Sequence, residues 1–216
     1  MVVKTRQSES SFSSGRMLDE DKITKALDMA TSLGADYAEI RLVSETTNTA
    51  SLKDGKLERA IPGQEVGVTM RILADGAWGV HSTSDISSIT GQIESTFRLA
   101  KAVAARRSPS QTRVELAEVP IIEDEIHWKS VKDVRDTDLD KRIEMMLAID
   151  NEAKDDEKIV STATGWSDEH IHTELITSEG MNRTWSFQRS LINGMVTARD
   201  GDDVVSYRMR HGGEGG

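Results

Sequence analysis

The chain of 216 residues contains no cysteine, which excludes disulfide bonds, thiolate catalysis and cysteine-ligated zinc within it. No window of the sequence has the length of apolar residues that a membrane-spanning helix requires. Acidic residues outnumber basic ones by 37 to 27, giving a formal net charge of -10. This charge argues against a general electrostatic attraction to nucleic acid or to anionic membranes. We therefore expect neither as a partner, and a cytoplasmic location is the default.

Several sequence signatures of catalysis and cofactor binding are also absent. Neither His-Glu-x-x-His nor the looser His-Glu-x-x-x-His, which place two ligands on one face of a helix, occurs in the sequence. No glycine-rich phosphate-binding loop and no Gly-x-Ser-x-Gly nucleophile motif is found. The sequence therefore predicts no catalytic residue in this chain.

Apolar residues at helical spacing predict three helices, over 17–34, about 85–106 and about 137–154. Asp19 is placed to cap the first helix, and Gly34 lies where a left-handed residue commonly follows a helix.

Alternating apolar residues predict strands between and after these helices. Lys53-Asp54-Gly55-Lys56 and Asp75-Gly76 have the composition of tight hairpin turns, and Gly67 and Gly79 leave room for close approach of another backbone. The predicted strands are 36–51, one through Val66 and Ile72, one from Ala77, and then 158–164, 169–177, 183–190, 192–199 and 204–210.

The two halves of the chain have the same order of elements, a helix followed by antiparallel hairpins. Asp54-Gly55 corresponds to Glu179-Gly180, and Asp75-Gly76 to Asp200-Gly201, at the same offset of 125 residues. This repetition suggests an internal duplication, although Asp-Gly turns also recur by chance wherever hairpins are common. The predicted fold class is α+β, with two similar helix-plus-meander units whose helices pack on an antiparallel sheet.

Composition divides the chain into five segments. A polar, serine-rich stretch without the apolar core of a secretion signal is expected to be a disordered leader. The glycine-rich end resembles a flexible linker, which suggests a truncation point within a longer protein. The segments are 1–16 (leader), 17–107 (first α+β unit), 108–135 (irregular connection), 136–210 (second α+β unit) and 211–216 (glycine-rich exit).

One stretch carries candidate metal ligands. In the segment DEHIHTE, residues 168–174, strand alternation puts His170, His172 and Glu174 on one face. Imidazole and carboxylate groups are the usual ligands of zinc and iron. Two of these positions can reach one ion, but all three span about 13 Å, so a third ligand would have to come from a neighbouring strand. A strand with a polar, solvent-facing side, and with Ile171 and Leu175 opposite, is the favoured interpretation.

The tryptophans at 78, 128, 166 and 185 could stack on a ligand. With so few aromatic residues in the chain, anchoring of the core and its rim is the more common role.

The order of three segments identifies a resemblance. LGADYAEIR, then DGKLE, then EVGVTMRILADGAWGVHSTSD is similar to the N-terminal part of the TldD/PmbA family of zinc metallopeptidases, also named modulators of DNA gyrase. An ELITSEG turn and the exit HGGEGG are similar as well, so that the resemblance covers about residues 18–216.

The resemblance implies a protease that acts on small or unfolded peptides as a homodimer, or as a heterodimer with a related subunit. Its zinc helix lies beyond the glycine-rich exit, so the cofactor is expected in a C-terminal half and not in this chain. This region would then dimerise and help to enclose a peptide chamber. Two other hypotheses are a stand-alone peptide- or protein-binding adaptor and a small metalloenzyme built on His170 and His172.

Overall fold

The computed structural model describes residues 16–108, 110–127 and 130–214. The predicted leader lies outside these residues except for Arg16. Within them, three α-helices and two 3₁₀ segments accompany one seven-stranded sheet. The helices are α1 (Glu20–Ser32), α2 (Ile93–Arg106) and α3 (Leu139–Ala153), and the 3₁₀ segments are Ile86–Gln92 and Val134–Asp136. The strands are β1 (Tyr37–Lys53), β2 (Lys56–Ala74), β3 (Ala77–Thr83), β4 (Glu123–His127), β5 (Ile159–Thr177), β6 (Asn182–Asp200) and β7 (Asp203–Gly213).

The order of strands in the sheet is β3-β2-β1-β5-β6-β4. Strand β7 also pairs with β6, along the residues of β6 that follow those paired with β4. All pairings are antiparallel except that of β4 with β6. The α+β prediction is confirmed, and the helix followed by a three-stranded meander occurs in both halves. The central pairing of β1 with β5 joins the two predicted units into one sheet.

The main core lies where α1 and α2 cover one end of the sheet. Ile40, Met70 and Leu42 are fully buried there, with Ile40 directly opposite Met70 across β1 and β2. The buried side chains of α1, which are Ile23, Ala26, Leu27 and Ala30, pack in the same core. Each large aliphatic side chain buried there stabilises the fold by about 1.5–3 kcal/mol. A second, smaller cluster lies under α3 around Leu52 and Met146.

The predicted hairpin turns are confirmed in the first half. Asp54 and Gly55 have φ values of 50° and 78°, and Asp75 and Gly76 have 51° and 70°. Two successive positive φ values match the twist of the flanking strands, which is why Asp-Gly is favoured there.

Strand lengths were predicted less well, because β5 and β6 each run unbroken through 19 residues. The residues predicted as four strands over 158–199 are strand, but the breaks predicted at 165–168 and at 191 are wrong. Gly165 and Ser167 have the composition of a turn, but β1 and β6 pair with β5 on both sides and keep it extended.

Three further boundaries differ from prediction. The helix expected from residue 85 begins as a 3₁₀ segment, because the run of Ser, Thr and Gly after the Asp85 cap favours α-helix weakly. The connection 108–135 is not wholly irregular, since it contains β4 and the segment Val134–Asp136. The exit 211–216 is strand up to Gly213, which pairs with Ser190. Among the described residues, no helix is long and apolar enough to cross a membrane.

Candidate functional site

The polar face of β5 turns toward the helices. Asp168 and Glu174 are buried, at 3% and 1% exposure, and His170 and His172 between them are partly buried. The prediction of a solvent-facing polar side is therefore wrong. Segments distant in sequence cover this face, namely residues 16–18, the 3₁₀ segment Val134–Asp136 and α3.

Glu174 fixes the chain that leads into α1. Its two carboxylate oxygens accept hydrogen bonds from the backbone N–H groups of Met17 and Leu18, and Oε1 also lies 3.1 Å from His172 Nε2. Burial acts to raise the pKa of Glu174, but the hydrogen bonds from His172 and the two N–H groups outweigh it and lower the pKa. The carboxylate is thus fully engaged within the fold.

His170 lies beneath the segment Val134–Asp136. That segment is held to β6 by Gln188, which accepts from Val134 N at 3.0 Å and donates to Lys132 O at 2.5 Å. Burial lowers the pKa of His170, and the positive charge of Arg135 adds to this effect, while Asp133 opposes it.

The structure shows where two of the three candidate metal ligands lie. His172 and Glu174 are brought together, but they bind each other, and Glu174 also binds the backbone. In the described ranges, no group of three His, Cys, Asp or Glu side chains is arranged to share an ion.

The burial of His170 predicts a loss of stability in mild acid. Because its folded pKa is depressed, its contribution to stability is complete above the unfolded value of about 6.5 and is lost as the pH falls through the folded pKa. We expect the free energy of unfolding to fall between pH 7.5 and 5.5, and the fall to be smaller in His170→Gln. Urea denaturation at both pH values measures this. The same substitution at the exposed His211 is the control, and an unchanged slope in His170→Gln would refute the assignment.

The opposite face of the sheet carries no helix among the described residues and forms a groove. A concavity of about 710 Å³ lies over β1, β5, β6 and β7, with Thr47, Ser167 and Arg189 among its lining. A second cavity of about 520 Å³ adjoins it, because Arg210 lines both. A third cavity of about 480 Å³, lined in part by Trp185, adjoins it at Glu214. The three form one long depression, which we call the groove.

Charged side chains lie in the middle of the groove. Glu169 is paired with Arg189 and also contacts Glu45 on β1. Burial raises the pKa of Glu45, and the hydrogen bond and negative charge of Glu169, together with the charge of Glu65, raise it further. This set could not be predicted from the sequence, because its members come from four strands, β1, β2, β5 and β6.

A rigid polar cluster lies on the same face, at the end where β1 begins. The Tyr37 hydroxyl donates to Glu39 Oε2 at 2.8 Å, and Arg71 Nη1 donates to Oε1 at 3.0 Å. The Arg71 guanidinium lies 4.2 Å above the Trp78 ring, which also meets Tyr37 edge to face. Burial and the hydrogen bond to Glu39 raise the pKa of Tyr37, so it stays protonated at neutral pH.

The tryptophans have separate roles. Trp166 packs on the cluster under α3 and donates to Asp168 Oδ1 at 2.9 Å, as an anchor of the core rim. Trp78 is held by Tyr37 and Arg71, whereas Trp185 lines the groove. Trp128 lies outside the described residues.

Comparison with protein families matches both halves of the chain. Residues 38–106 match the PmbA/TldA metallopeptidase domain 1, and residues 132–216 match the PmbA/TldA metallopeptidase central domain. The chain belongs to the PmbA/TldD family. The resemblance proposed from the sequence is therefore confirmed.

Two curated relatives of this chain are named metalloproteases. A metalloprotease of Methanocaldococcus jannaschii is 28% identical over 92% of this chain, and one of Methanothermobacter thermautotrophicus is 25% identical over 84%. The chain spans 43% and 38% of those two proteins, so it has less than half the length of either.

Two solved structures share the fold of this chain. A DNA gyrase modulator from Thermotoga maritima and TldE from Thermococcus kodakarensis both superpose with a TM-score of 0.70, at 16% and 17% identity. The matched regions cover 90% and 89% of this chain. They correspond to 43% of the length of each of the two solved chains. At such identities the likeness concerns the fold.

Proposed function

We propose that this chain is the N-terminal, non-catalytic part of a PmbA/TldD-type metallopeptidase, and that its groove forms one wall of a compartment for small or unfolded peptides. The observation that carries the proposal is the match to domain 1 and to the central domain, at less than half the length of relatives named metalloproteases. The zinc and its ligands are then expected outside these 216 residues.

The groove supports a role in holding peptides. It is open and long, and its lining alternates small polar side chains such as Thr47 and Ser167 with charged and aromatic ones. An extended peptide presents alternate side chains to either side, which suits a shallow depression lined by strands. A dimeric state, with an identical or a related subunit, and a cytoplasmic location stay predictions.

We expect the purified chain to bind an unstructured, fluorescently labelled peptide without cleaving it, with or without added zinc. Ser167→Trp should fill the groove and weaken binding by at least about tenfold, the equivalent of 1.4 kcal/mol. Ser95→Trp, at an exposed position of α2 on the other side of the sheet, is the matched control and should bind as the unaltered chain does. Fluorescence anisotropy measures binding, and chromatography of the peptide measures cleavage.

Two results would contradict the proposal. Zinc-dependent cleavage that copurifies with the chain would show that catalysis resides in these residues. Equal binding by Ser167→Trp and the unaltered chain would show that the groove is not the peptide-binding site. The alternative function is a stand-alone peptide- or protein-binding adaptor. Sequencing the gene beyond codon 216 distinguishes it from the peptidase proposal, because an adaptor requires that no His-Glu-x-x-x-His helix follows.

A further inference from the structure

Strand β7 forms an open edge of the sheet. It pairs with β6 on one side, and on its other side it pairs with no strand in the described ranges. Every residue from Asp203 to Gly213 is exposed. A strand with a free edge presents a row of unpaired backbone N–H and C=O groups, which can pair with another chain. Such an edge requires either protection or a partner.

Most of the usual protections of a free edge are missing from β7. Protected edges are commonly short, interrupted by a bulge or by proline, or covered by a helix. β7 has 11 residues without proline, and its register with β6 is continuous from Asp203 to Gly213. The strand at the opposite end of the sheet, β3, has only 7 residues and packs closely against α2. This difference points to β7 as a site of contact.

Apolar side chains follow this edge on the helix-covered face of the sheet. Val205, Tyr207 and Met209 share one face of β7, because strand side chains alternate, and they are exposed to 67%, 69% and 54%. Tyr207 and Met209 line a small cavity together with Ile149 of α3, which identifies the face. Large apolar side chains that cluster at the surface commonly mark a contact with another molecule. A partner that extended the sheet would bury this apolar band.

The hairpin between β6 and β7 fixes which backbone groups of β7 point outwards. Its turn consists of Gly201, with a φ of 63°, and Asp202, and it is closed by Asp200 and Asp203. The pair that closes such a turn is hydrogen-bonded, and pairs with and without hydrogen bonds then alternate along the ladder. The odd-numbered residues of β7 therefore bond to β6. The even-numbered residues over 204–212 present their N–H and C=O groups at the free edge.

We propose that two copies of this chain join through their β7 strands, antiparallel about a twofold axis perpendicular to the sheet. Such an axis keeps the helices of both copies on the same face and sets the even-numbered residues opposite each other as hydrogen-bonded pairs. Tyr207 lies at the axis and faces Tyr207 of the second copy. Val205 then faces Met209, and Asp203 faces His211, of the second copy. About eight backbone hydrogen bonds close the edge.

The charges and the length of β7 select this register and favour a second copy as the partner. An axis at Arg208 would set two guanidinium groups directly opposite each other, which is destabilising. An axis at Ser206 would pair fewer residues, because the strand begins at Asp203. With Tyr207 at the axis, Arg208 faces a serine, an aromatic pair forms at the centre, and the Asp203 carboxylate lies opposite an imidazole.

The inference gives the predicted dimer a contact surface. β7 also lines the groove, through Arg210 and Gly212, so the groove would continue into the second copy. Association through β7 does not require that the groove hold peptides, and the experiments below measure association alone.

The absence of cysteine from the chain allows a direct test by crosslinking. Tyr207→Cys places two thiols at a pair without hydrogen bonds, whose Cα atoms lie about 4.5 Å apart, within the range of a disulfide. We expect a disulfide-linked dimer on a non-reducing gel after mild oxidation with diamide. Val205→Cys is the control, because its two copies would lie about 13 Å apart along the strands. Equal crosslinking of the two variants, or none in Tyr207→Cys, would overturn the proposal.

Two serines provide matched variants on the two outer strands. Ser206→Pro removes an outward N–H group from β7, and Ser82→Pro removes one from β3, where the Asp75-Gly76 turn sets the same alternation. Each change also removes one hydroxyl contact, with Thr197 at 2.9 Å or with Thr69 at 3.0 Å.

Sedimentation velocity over a series of concentrations measures the association of the unaltered chain and of both variants. We expect a reversible dimer of the unaltered chain, weakened by at least about tenfold in Ser206→Pro and unchanged in Ser82→Pro. A monomer at every concentration, or equal effects of the two substitutions, would contradict association through β7.

Discussion

Replacing Arg142 by methionine should lower the free energy of unfolding by about 3–5 kcal/mol, because it leaves the Asp168 carboxylate buried without its counter-charge. Both side chains are 2% exposed, and the ion pair joins α3 to the middle of the sheet. The hydrogen bonds from Trp166 and Ser190 remain with Asp168, but they cannot replace a full positive charge. Urea denaturation at neutral pH measures the loss.

Two variants control for this result. Arg98→Met removes an exposed pair with Glu94 on α2 and should cost less than about 1 kcal/mol. Arg142→Met combined with Asp168→Asn removes both charges and should recover a large part of the stability. If Arg142→Met cost no more than Arg98→Met, the ion pair would not hold α3 to the sheet.

Replacing Gly79 by alanine should cost about 1–3 kcal/mol or more, because α2 packs directly on the backbone of β3. A Cβ atom at this position would collide with the carbonyl oxygen of Thr96 and lie 2.9 Å from the backbone nitrogen of Ala100. Backbone atoms of a helix cannot move aside as a flexible side chain can, so the helix would have to shift. Thermal or urea unfolding reports the change.

Gly67 is the matched control for this prediction. It also lies in a strand, β2, but a Cβ atom there would meet nothing within 4 Å. Gly67→Ala should therefore be neutral or raise stability by about 0.5–1 kcal/mol, since alanine is less flexible than glycine in the unfolded chain. Comparable losses in both variants would show that glycine flexibility matters here and the close approach of α2 does not.

The two glycines also show what the sequence could and could not predict. Both were expected to allow close approach of a backbone, and only Gly79 does so. The hairpin at Asp54-Gly55 was predictable because its signal is contained in four adjacent residues. Whether a glycine faces a helix depends on packing between distant segments, which local sequence does not encode.

The same distinction explains the outcome for DEHIHTE. Alternation predicted which side chains share a face, and His172 and Glu174 do lie together. It could not predict that the polar face is the covered one, because Met17, Val134 and Arg142 reach it from other parts of the chain. The burial of Arg142 and Asp150 was hidden for the same reason, since the sequence of α3 alone suggests only an ordinary helix.

The pairing of β1 with β5 has a consequence for synthesis of the protein on the ribosome. β1 emerges on the order of 100 residues before the strand that covers its second edge, which corresponds to a delay of roughly 10 s at common rates of elongation. During that interval its backbone groups on that edge remain open to other chains. Domain 1 therefore completes its sheet only after β5 of the central domain has been made, and the two domains are expected to acquire their stability together.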